Sequence, residues 1–111
     1  MRKMINFNDA LREDLKDPVE AKAYLEVALE LYEEDNNTEA FLMALRDIAE
    51  AQGGITTLSQ RTHLNRQNLY RALSGHGNPR LDTFGTILHG LGFKLAIQPL
   101  NNSERSSISS P

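Results

Sequence analysis

Four side chains between residues 65 and 73 could recognise the bases of duplex DNA. Arginine and glutamine present paired hydrogen-bonding groups that match guanine and adenine edges in the major groove, and a tyrosine ring can contact a thymine methyl group. On a helix, these side chains would share the face opposite Leu69 and Leu73. The predicted base-contacting residues are Arg66, Gln67, Tyr70 and Arg71.

Two short helices are predicted to hold this face in place. Apolar residues between positions 58 and 73 recur at helical spacing on both sides of a tight turn, and Leu64 would fill the corner. Asn65 can cap the second helix, which would then begin at Arg66. His63 occupies the turn, and histidine tolerates positive φ better than most side chains.

Polar residues around the same pair of helices are predicted to contact the DNA backbone. Thr56 or Thr57 could cap the first short helix and leave its backbone N–H groups facing a phosphate. The connector SGHGNPR, residues 74–80, would turn the chain away from the second helix. The predicted backbone contacts are Thr56, Thr57, Gln60, Arg61, Asn65, Asn68, Ser74, His76 and Asn78.

The net charge of −3 conceals two halves of opposite sign. Residues 1–52 hold six Lys/Arg and thirteen Asp/Glu, whereas residues 53–111 hold six and two. The range 53–81 contains four arginines and no acid, so DNA phosphates would meet an unopposed positive surface. The acidic half would attract a basic partner instead.

A long acidic helix is predicted from Pro18 to about Glu34. Asp17 would cap it, proline suits its first position, and Glu20 could reach back as in a capping box. Before it, the apolar spacing within residues 1–16 fits either a helical turn or an extended segment. The side chains of the long helix expected in the core are Ala21, Tyr24, Leu25, Ala28, Leu29, Leu31 and Tyr32.

Two further helices and one strand complete the predicted chain. Thr38 can cap a helix from residue 39 to about 52, which Gly53 and Gly54 would end. Another helix begins at Leu81 or Asp82, with Leu81 among its core residues. The strand would pair with its copy in a two-fold dimer, because a lone strand cannot satisfy its own backbone. The strand residues are Phe93, Lys94, Leu95, Ala96 and Ile97.

Most of the chain resembles a known family. The stretch LSQRTHLNRQNLYRALSGHGNPRLDTFGTILHGLGFKLAI resembles the helix-turn-helix of phage-repressor-like proteins, with His63 and Ser59 where glycine and alanine are usual. Together with REDLKDPVEAKAYLEVALE and AFLMALRDIAEAQGG, it resembles addiction-module antidote proteins, HigA-like antitoxins encoded beside small RelE/HigB-like toxins. The resemblance covers roughly residues 7–98.

The resemblance implies an all-α helix-turn-helix bundle with an N-terminal helical extension. Residues 1–37 would form a leader and an acidic helix, residues 38–98 the DNA-binding domain, and residues 99–111 a disordered, serine-rich tail. The acidic helix would bind a small basic toxin, although a solvated charged face explains the same carboxylates. The weakly predicted toxin contacts are Glu26, Glu30, Glu33 and Glu34.

Other classes of function have little support. The chain has no cysteine, its three histidines lie apart without a carboxylate cluster, and no lysine-serine or lysine-threonine pair follows the glycine-containing loop. We therefore expect no enzyme activity, metal or cofactor. With no signal-like or membrane-length apolar run, the sequence predicts a soluble cytoplasmic protein that does not bind membranes.

Three hypotheses remain for function. The first is an antitoxin that binds an inverted-repeat operator as a homodimer, represses its own operon and neutralises a toxin. The second is a stand-alone prophage-type transcriptional regulator without a toxin partner. The third is a protein-interaction module whose helix-turn-helix has lost DNA binding.

Overall fold

Six α-helices make up the regular structure of residues 7–101, the part of the chain that the computed structural model describes. They are α1 (Phe7–Asp14), α2 (Pro18–Asp35), α3 (Thr38–Ala51), α4 (Gly54–Thr62), α5 (Arg66–Ala72) and α6 (Leu81–Gly90). No strand occurs among these residues, so the predicted all-α class is confirmed without its C-terminal strand. The leader before residue 7 and most of the predicted disordered tail, residues 102–111, lie outside the described residues.

Helix α1 decides between the two predicted conformations of the early segment in favour of a helix. The N–H of Leu15 donates to the Leu11 carbonyl at 2.9 Å and continues the helical turn beyond Asp14. Leu15 is buried and Leu11 packs against the same core. The segment therefore adds apolar area to the core and is part of the fold.

The start of α2 follows the predicted cap but not the predicted capping box. A carboxylate oxygen of Asp17 accepts the Val19 N–H at 2.9 Å, and Pro18 occupies the first helical position. The N–H of Asp17 itself donates to the Asp14 carbonyl at 3.1 Å. Because that donor is already used by the preceding turn, Glu20 is not needed to satisfy it.

Helix α2 buries a narrower stripe than the sequence predicted. Ala21, Leu25 and Ala28 are buried and Tyr24 is half-buried. Three residues expected in the core are exposed instead, Leu29, Leu31 and Tyr32. The reason is that α2 packs mainly against one helix, α3, and a single neighbour covers only a narrow strip of a helix surface.

A hydrogen bond between side chains fixes α2 against α3. The phenol of Tyr24 donates to a carboxylate oxygen of Asp47 at 2.6 Å, across 23 residues of sequence. Partial burial first, and then this bond and the negative charge of Asp47, raise the pKa of Tyr24 to about 12. The protonated phenol is therefore the form that the folded protein favours.

Two helix starts differ from the predicted caps. Asn37 rather than Thr38 caps α3, accepting the Ala40 N–H at 3.0 Å.

Helix α4 begins at Gly54 without a side-chain cap, and neither Thr56 nor Thr57 supplies one. Thr57 lies inside the helix, where its hydroxyl donates back to the Gly53 carbonyl at 3.1 Å. The shift arises because Gly53 and Gly54, with φ of 115° and 93°, reverse the chain so tightly that α4 starts at once.

The core is centred on α3 to α6 and extends onto α1 and α2. Its largest fully buried side chains come from all four central helices; they are Leu42, Leu45, Ile48, Leu58, Leu69, Leu73 and Ile87. Phe41 and Phe84 extend this core at one edge, with ring centroids 5.7 Å apart. Leu81, predicted for the core, is 74% exposed because it begins α6 beyond the reach of the packed helices.

The ends of three helices meet around Gly90. Leu58 and Thr62 of α4 lie so close to Gly90 that an added Cβ would stand 2.9 Å from Leu58 Cδ1 and 2.5 Å from Thr62 Cγ2. Arg61 donates to the Gly90 carbonyl at 3.2 Å and to Gln52 at 2.7 Å, and Gln52 donates to the Leu91 carbonyl at 2.9 Å. These bonds occupy two carbonyl groups at the end of α6 that no helical N–H can reach.

The predicted strand at residues 93–97 is wrong for this chain. The Phe93 N–H donates to the Leu88 carbonyl at 2.9 Å and Phe93 packs on the core, but residues 93–100 form no regular structure. Leu95 lies beside Gly85, whereas Ile97 is 99% exposed. A strand exists only by hydrogen bonding to a neighbour, and no second extended segment lies beside this one among residues 7–101. The dimer predicted through this strand loses its basis.

Replacing Gly90 by alanine should destabilise the protein by about 1–3 kcal/mol, since the added methyl group has to displace Thr62 and Leu58. Gly85→Ala, in the same helix, is the matched control. Its Cβ would meet only Leu95 Cδ1, at an ordinary 3.6 Å, and alanine favours the helix by about 0.5–1 kcal/mol. Urea unfolding measures both. Equal effects of the two substitutions would show that α4 and α6 are less tightly packed than described.

The Tyr24→Phe variant should lose less stability than the wild type as pH rises from 10 to 12. The pKa of Tyr24 in the folded protein, about 12, exceeds its ordinary value of 10.0. The stabilisation is therefore complete below pH 10 and is lost as pH rises through about 12. Denaturation of both proteins across this pH range measures the difference. A constant gap in stability between the two proteins would contradict the raised pKa of Tyr24 in the folded protein.

Candidate nucleic-acid interface

Helices α4 and α5 are joined by a turn of three residues, His63 to Asn65. His63 adopts a positive φ of 63°, as the sequence predicted for this turn, and donates its N–H to the Ser59 carbonyl at 2.8 Å. The Ser59 hydroxyl donates to the Leu64 carbonyl at 2.6 Å, while Leu64 packs on the core. A small side chain at Ser59 thus lets the turn fold back against α4.

Both ends of α5 are capped by side chains. The amide oxygen of Asn65 accepts the N–H groups of Gln67 at 2.7 Å and Asn68 at 3.3 Å, which confirms the predicted cap. At the other end, the Ser74 hydroxyl donates to the Arg71 carbonyl at 3.0 Å. A helix of seven residues has few internal bonds, so these caps fix a large part of its backbone.

One side of α5 is buried and the other is open. Leu69 is fully buried, and Ala72 and Leu73 lie beside it in the core. The side chains that point away from this edge are exposed; they are Arg66, Gln67, Asn68, Tyr70 and Arg71. The apolar edge therefore sets the rotation of the helix and determines which side chains face outward.

The exposed side of α5 has a shallow depression and a separate arginine. Asn65, Arg66, Gln67 and Tyr70 line the depression. Arg71 lies one helical turn beyond Gln67, with its guanidinium 3.4 Å from the Asn68 side-chain oxygen. Of the four predicted base-contacting residues, three share one concave surface and the fourth continues it along the helix.

The positive charge of this surface is not neutralised by any carboxylate of the described residues. Among residues 7–101, the ion pairs of Arg12, Lys16, Lys22 and Arg80 leave Arg66 and Arg71 without a carboxylate within 4.0 Å. Both side chains are exposed, so an anion can reach their guanidinium groups. An exposed, unpaired arginine is suited to a phosphate or a guanine edge.

The predicted backbone contacts divide into free and engaged side chains. Four of these residues are exposed, and their side chains form no hydrogen bond with other described residues. They are Thr56, Gln60, His76 and Asn78. Thr57 and Ser74 use their hydroxyl protons on backbone carbonyls, at Gly53 and Arg71. These two could only accept a hydrogen bond from a ligand, which a phosphate cannot donate when ionised. The side-chain oxygens of two more predicted contacts are also engaged: Asn65 caps α5, and Asn68, within α5, accepts from Arg71.

Arg61 is placed apart from the other arginines. Its guanidinium bonds to Gln52 and to the Gly90 carbonyl, at the ends of α3 and α6. Sequence reasoning missed this role because the partners lie 9 and 29 residues away and no local motif marks them. The first contribution of Arg61 is thus to hold three helix ends together.

The connector after α5 folds tightly against the helix it follows. A Cβ added at Gly77 would lie 2.6 Å from the Arg71 carbonyl oxygen and closer still to that of Ala72, so only glycine fits there without movement. Gly75 lies against α3, where an added Cβ would stand 2.6 Å from a carboxylate oxygen of Glu39. The connector is therefore packed between α5 and the start of α3.

The four glutamates predicted to bind a toxin do not form one patch. Glu26 and Glu33 border a groove between α2, α6 and residues 93–100, and Glu26 pairs with Lys22 at 3.1 Å. Glu30 and Glu34 are exposed on other parts of the α2 surface and do not line that groove. Two surfaces of α2 thus have to be considered separately.

Within residues 7–101, no group of three or more histidine, cysteine, aspartate and glutamate side chains could hold a metal ion. None of the six described helices is both long and apolar enough to span a bilayer.

Comparison with known proteins gives one family and one relative of undescribed function. The family described as "probable addiction module antidote protein" matches residues 4–99. A protein of Haemophilus influenzae, described as uncharacterized, is 35% identical over 86 residues, which cover 78% of this chain and 84% of the relative. No solved structure matches the chain significantly.

The family match extends over α1 and α2 as well as over the helical pair α4 and α5. It therefore takes in both the acidic half and the basic half of the chain. By this match and by the shared sequence, the protein belongs to the family of addiction module antidote proteins.

Proposed function

We propose that the protein is the DNA-binding antitoxin of a toxin-antitoxin module, which represses its own operon and neutralises a small basic toxin of the RelE/HigB type by direct contact. Membership of the antidote family supports the antitoxin role. The observation that carries the DNA-binding part is the exposed side of α5, where Arg66, Gln67, Tyr70 and Arg71 project from a helix capped at both ends.

The way α5 is mounted supports insertion into the major groove. The groove admits one α-helix, and base edges can be reached only by side chains that point away from the protein. Helix α5 follows α4 after a three-residue turn and buries Leu69 beneath its exposed side. No carboxylate of the described residues pairs with Arg66 or Arg71, so their N–H groups are available for bases or phosphates.

We infer that two copies bind one operator. A helix-turn-helix dimer places two recognition helices about 34 Å apart, one turn of DNA, and therefore prefers an inverted repeat. One α5 of seven residues can contact only a few base pairs, which is too little to select a site in a genome. The protein acts in the cytoplasm, where its promoter is accessible, and requires neither cofactor nor catalysis.

Protection of the DNA upstream of its own gene tests the DNA-binding part. At low salt, nuclease footprinting should show a protected inverted repeat, with affinity falling steeply as salt rises. Absence of protection at every salt concentration would refute operator binding. Co-purification with the product of the adjacent open reading frame tests the antitoxin part separately; failure there would favour a stand-alone transcriptional regulator.

The variant Arg71→Ala should lose about 1–3 kcal/mol of binding free energy for the operator and tolerate other bases at one position, because one bidentate contact is removed. Arg12→Ala removes the same charge from α1 and should bind like the wild type. Titration of both variants against the operator and its single-base substitutions measures the effect. Equal weakening on all DNA sequences would show that Arg71 contacts a phosphate and not a base. An equal loss of affinity in Arg12→Ala would contradict the assignment of α5 as the DNA-binding surface.

A further inference from the structure

A shallow trough between α1 and α2 is a second exposed surface with a partly apolar floor. It encloses about 210 Å³ and lies on the side of α2 away from the groove bordered by residues 93–100. Its apolar lining comes from both helices and consists of Leu11, Leu15, Ala23 and Val27. Val27 is 56% exposed, and Leu31, one turn further along α2, is exposed as well. Together they make a continuous apolar strip that no other part of residues 7–101 covers.

Negatively charged side chains lie around this strip. Asp14 and Glu20 line the trough, and no lysine or arginine does. The nearby cations are engaged by other acids, Arg12 with Asp9 at 3.8 Å and Lys16 with Glu13 at 3.1 Å. Further along α2, Glu30 and Glu34 follow Val27 by three and seven residues, spacings that return to the same side of a helix. An anionic rim around an apolar floor is complementary to an apolar side chain flanked by basic residues.

The larger groove on the other side of α2 is a weaker candidate for a basic partner. It encloses about 530 Å³ over Phe41 and Phe84, but both signs of charge border it. Lys22 and Lys94 lie there with Glu26 and Glu33, and Lys22 already pairs with Glu26. A basic surface would therefore meet repulsion as well as attraction at the groove, whereas the charged side chains that line the trough, Asp14 and Glu20, are both carboxylates.

We infer that the trough between α1 and α2 is the docking site for the basic toxin, which inserts an apolar side chain over Ala23 and Val27 and pairs its basic residues with Asp14, Glu20, Glu30 and Glu34. This inference rests on the proposed antitoxin function and adds the surface that carries it. It assigns Glu26 and Glu33 no part in toxin binding.

The variant Ala23→Lys tests the inference, because it fills the trough and adds a like charge to the one expected on the toxin. Leu29→Lys is the matched control, since it adds the same charge to the same helix on the groove side, at a residue that is 44% exposed. Binding is measured by calorimetry with the purified product of the adjacent open reading frame. Ala23→Lys should bind about 30-fold or more weakly, the loss typical of the centre of an interface, and Leu29→Lys should bind like the wild type.

Two further measurements keep the outcomes distinct. Both variants should still protect the operator, which shows that they are folded. The double variant Asp14→Asn, Glu20→Gln leaves the apolar floor intact and should bind the toxin more weakly and with less dependence on salt. Full binding by Ala23→Lys and by the double variant, or an equal loss in Leu29→Lys, would overturn the docking site alone. A wild-type protein that does not bind the probe at all would overturn the proposed antitoxin function and the inference with it.

Discussion

Helix α5 is too short to be stable by itself, so its conformation depends on the rest of the structure. Isolated helices shorter than about 12 residues are marginal in water, and α5 has seven. Its conformation depends on burial of Leu69, Ala72 and Leu73 against the core and on the caps from Asn65 and Ser74. The side chains that face outward need no support from one another. The apolar edge and the two caps therefore allow the exposed side to vary in sequence without loss of the fold.

The separation of charge along the chain gives the molecule two surfaces of opposite potential, which match the two contacts of the proposed function. The basic residues between 53 and 81 project from α4, α5 and the connector, whereas the carboxylates belong mainly to α1 and α2. Had the thirteen acids of the first half been spread over the whole surface, they would repel DNA at every approach. Their concentration on the N-terminal helices leaves one side of the molecule attractive to nucleic acid and another to a basic protein. The net charge of −3 therefore describes neither of these two surfaces.

Several local interactions were predictable from the sequence because they need only neighbouring residues, although the caps predicted at Thr38 and at Thr56 or Thr57 were wrong. The Asn65 cap, the Asp17 cap and the positive φ of His63 are decided within a few residues, and all three were predicted. The bonds from Arg61 to Gln52 and Gly90 join residues that only folding brings together, so no spacing revealed them. Helical periodicity likewise indicated that the apolar residues of α2 lie on one side of the helix. It did not indicate that packing against a single neighbour would leave Leu31 exposed.

The predicted strand shows a different limit. Alternation of apolar residues in 93–97 indicates a preference for extended backbone, but a strand also requires a hydrogen-bonding neighbour, which alternation does not supply. For the candidate interface, sequence predicted the helix, its start and its outward side chains. It could not separate the depression lined by Arg66, Gln67 and Tyr70 from the neighbouring position of Arg71, since that depends on side-chain conformation.

The contact between Gly75 and Glu39 has a consequence for how such chains can diverge. A side chain at position 75 would collide with the glutamate unless that residue became shorter or moved away. Because Glu39 is exposed and flexible, a larger residue at position 75 is accommodated either by rotation of the glutamate side chain or by a shorter residue at position 39. In a set of homologous sequences, substitution at position 75 together with a shorter residue at position 39 would link the corner between α2 and α3 to the segment that follows α5, although the two are far apart in the chain.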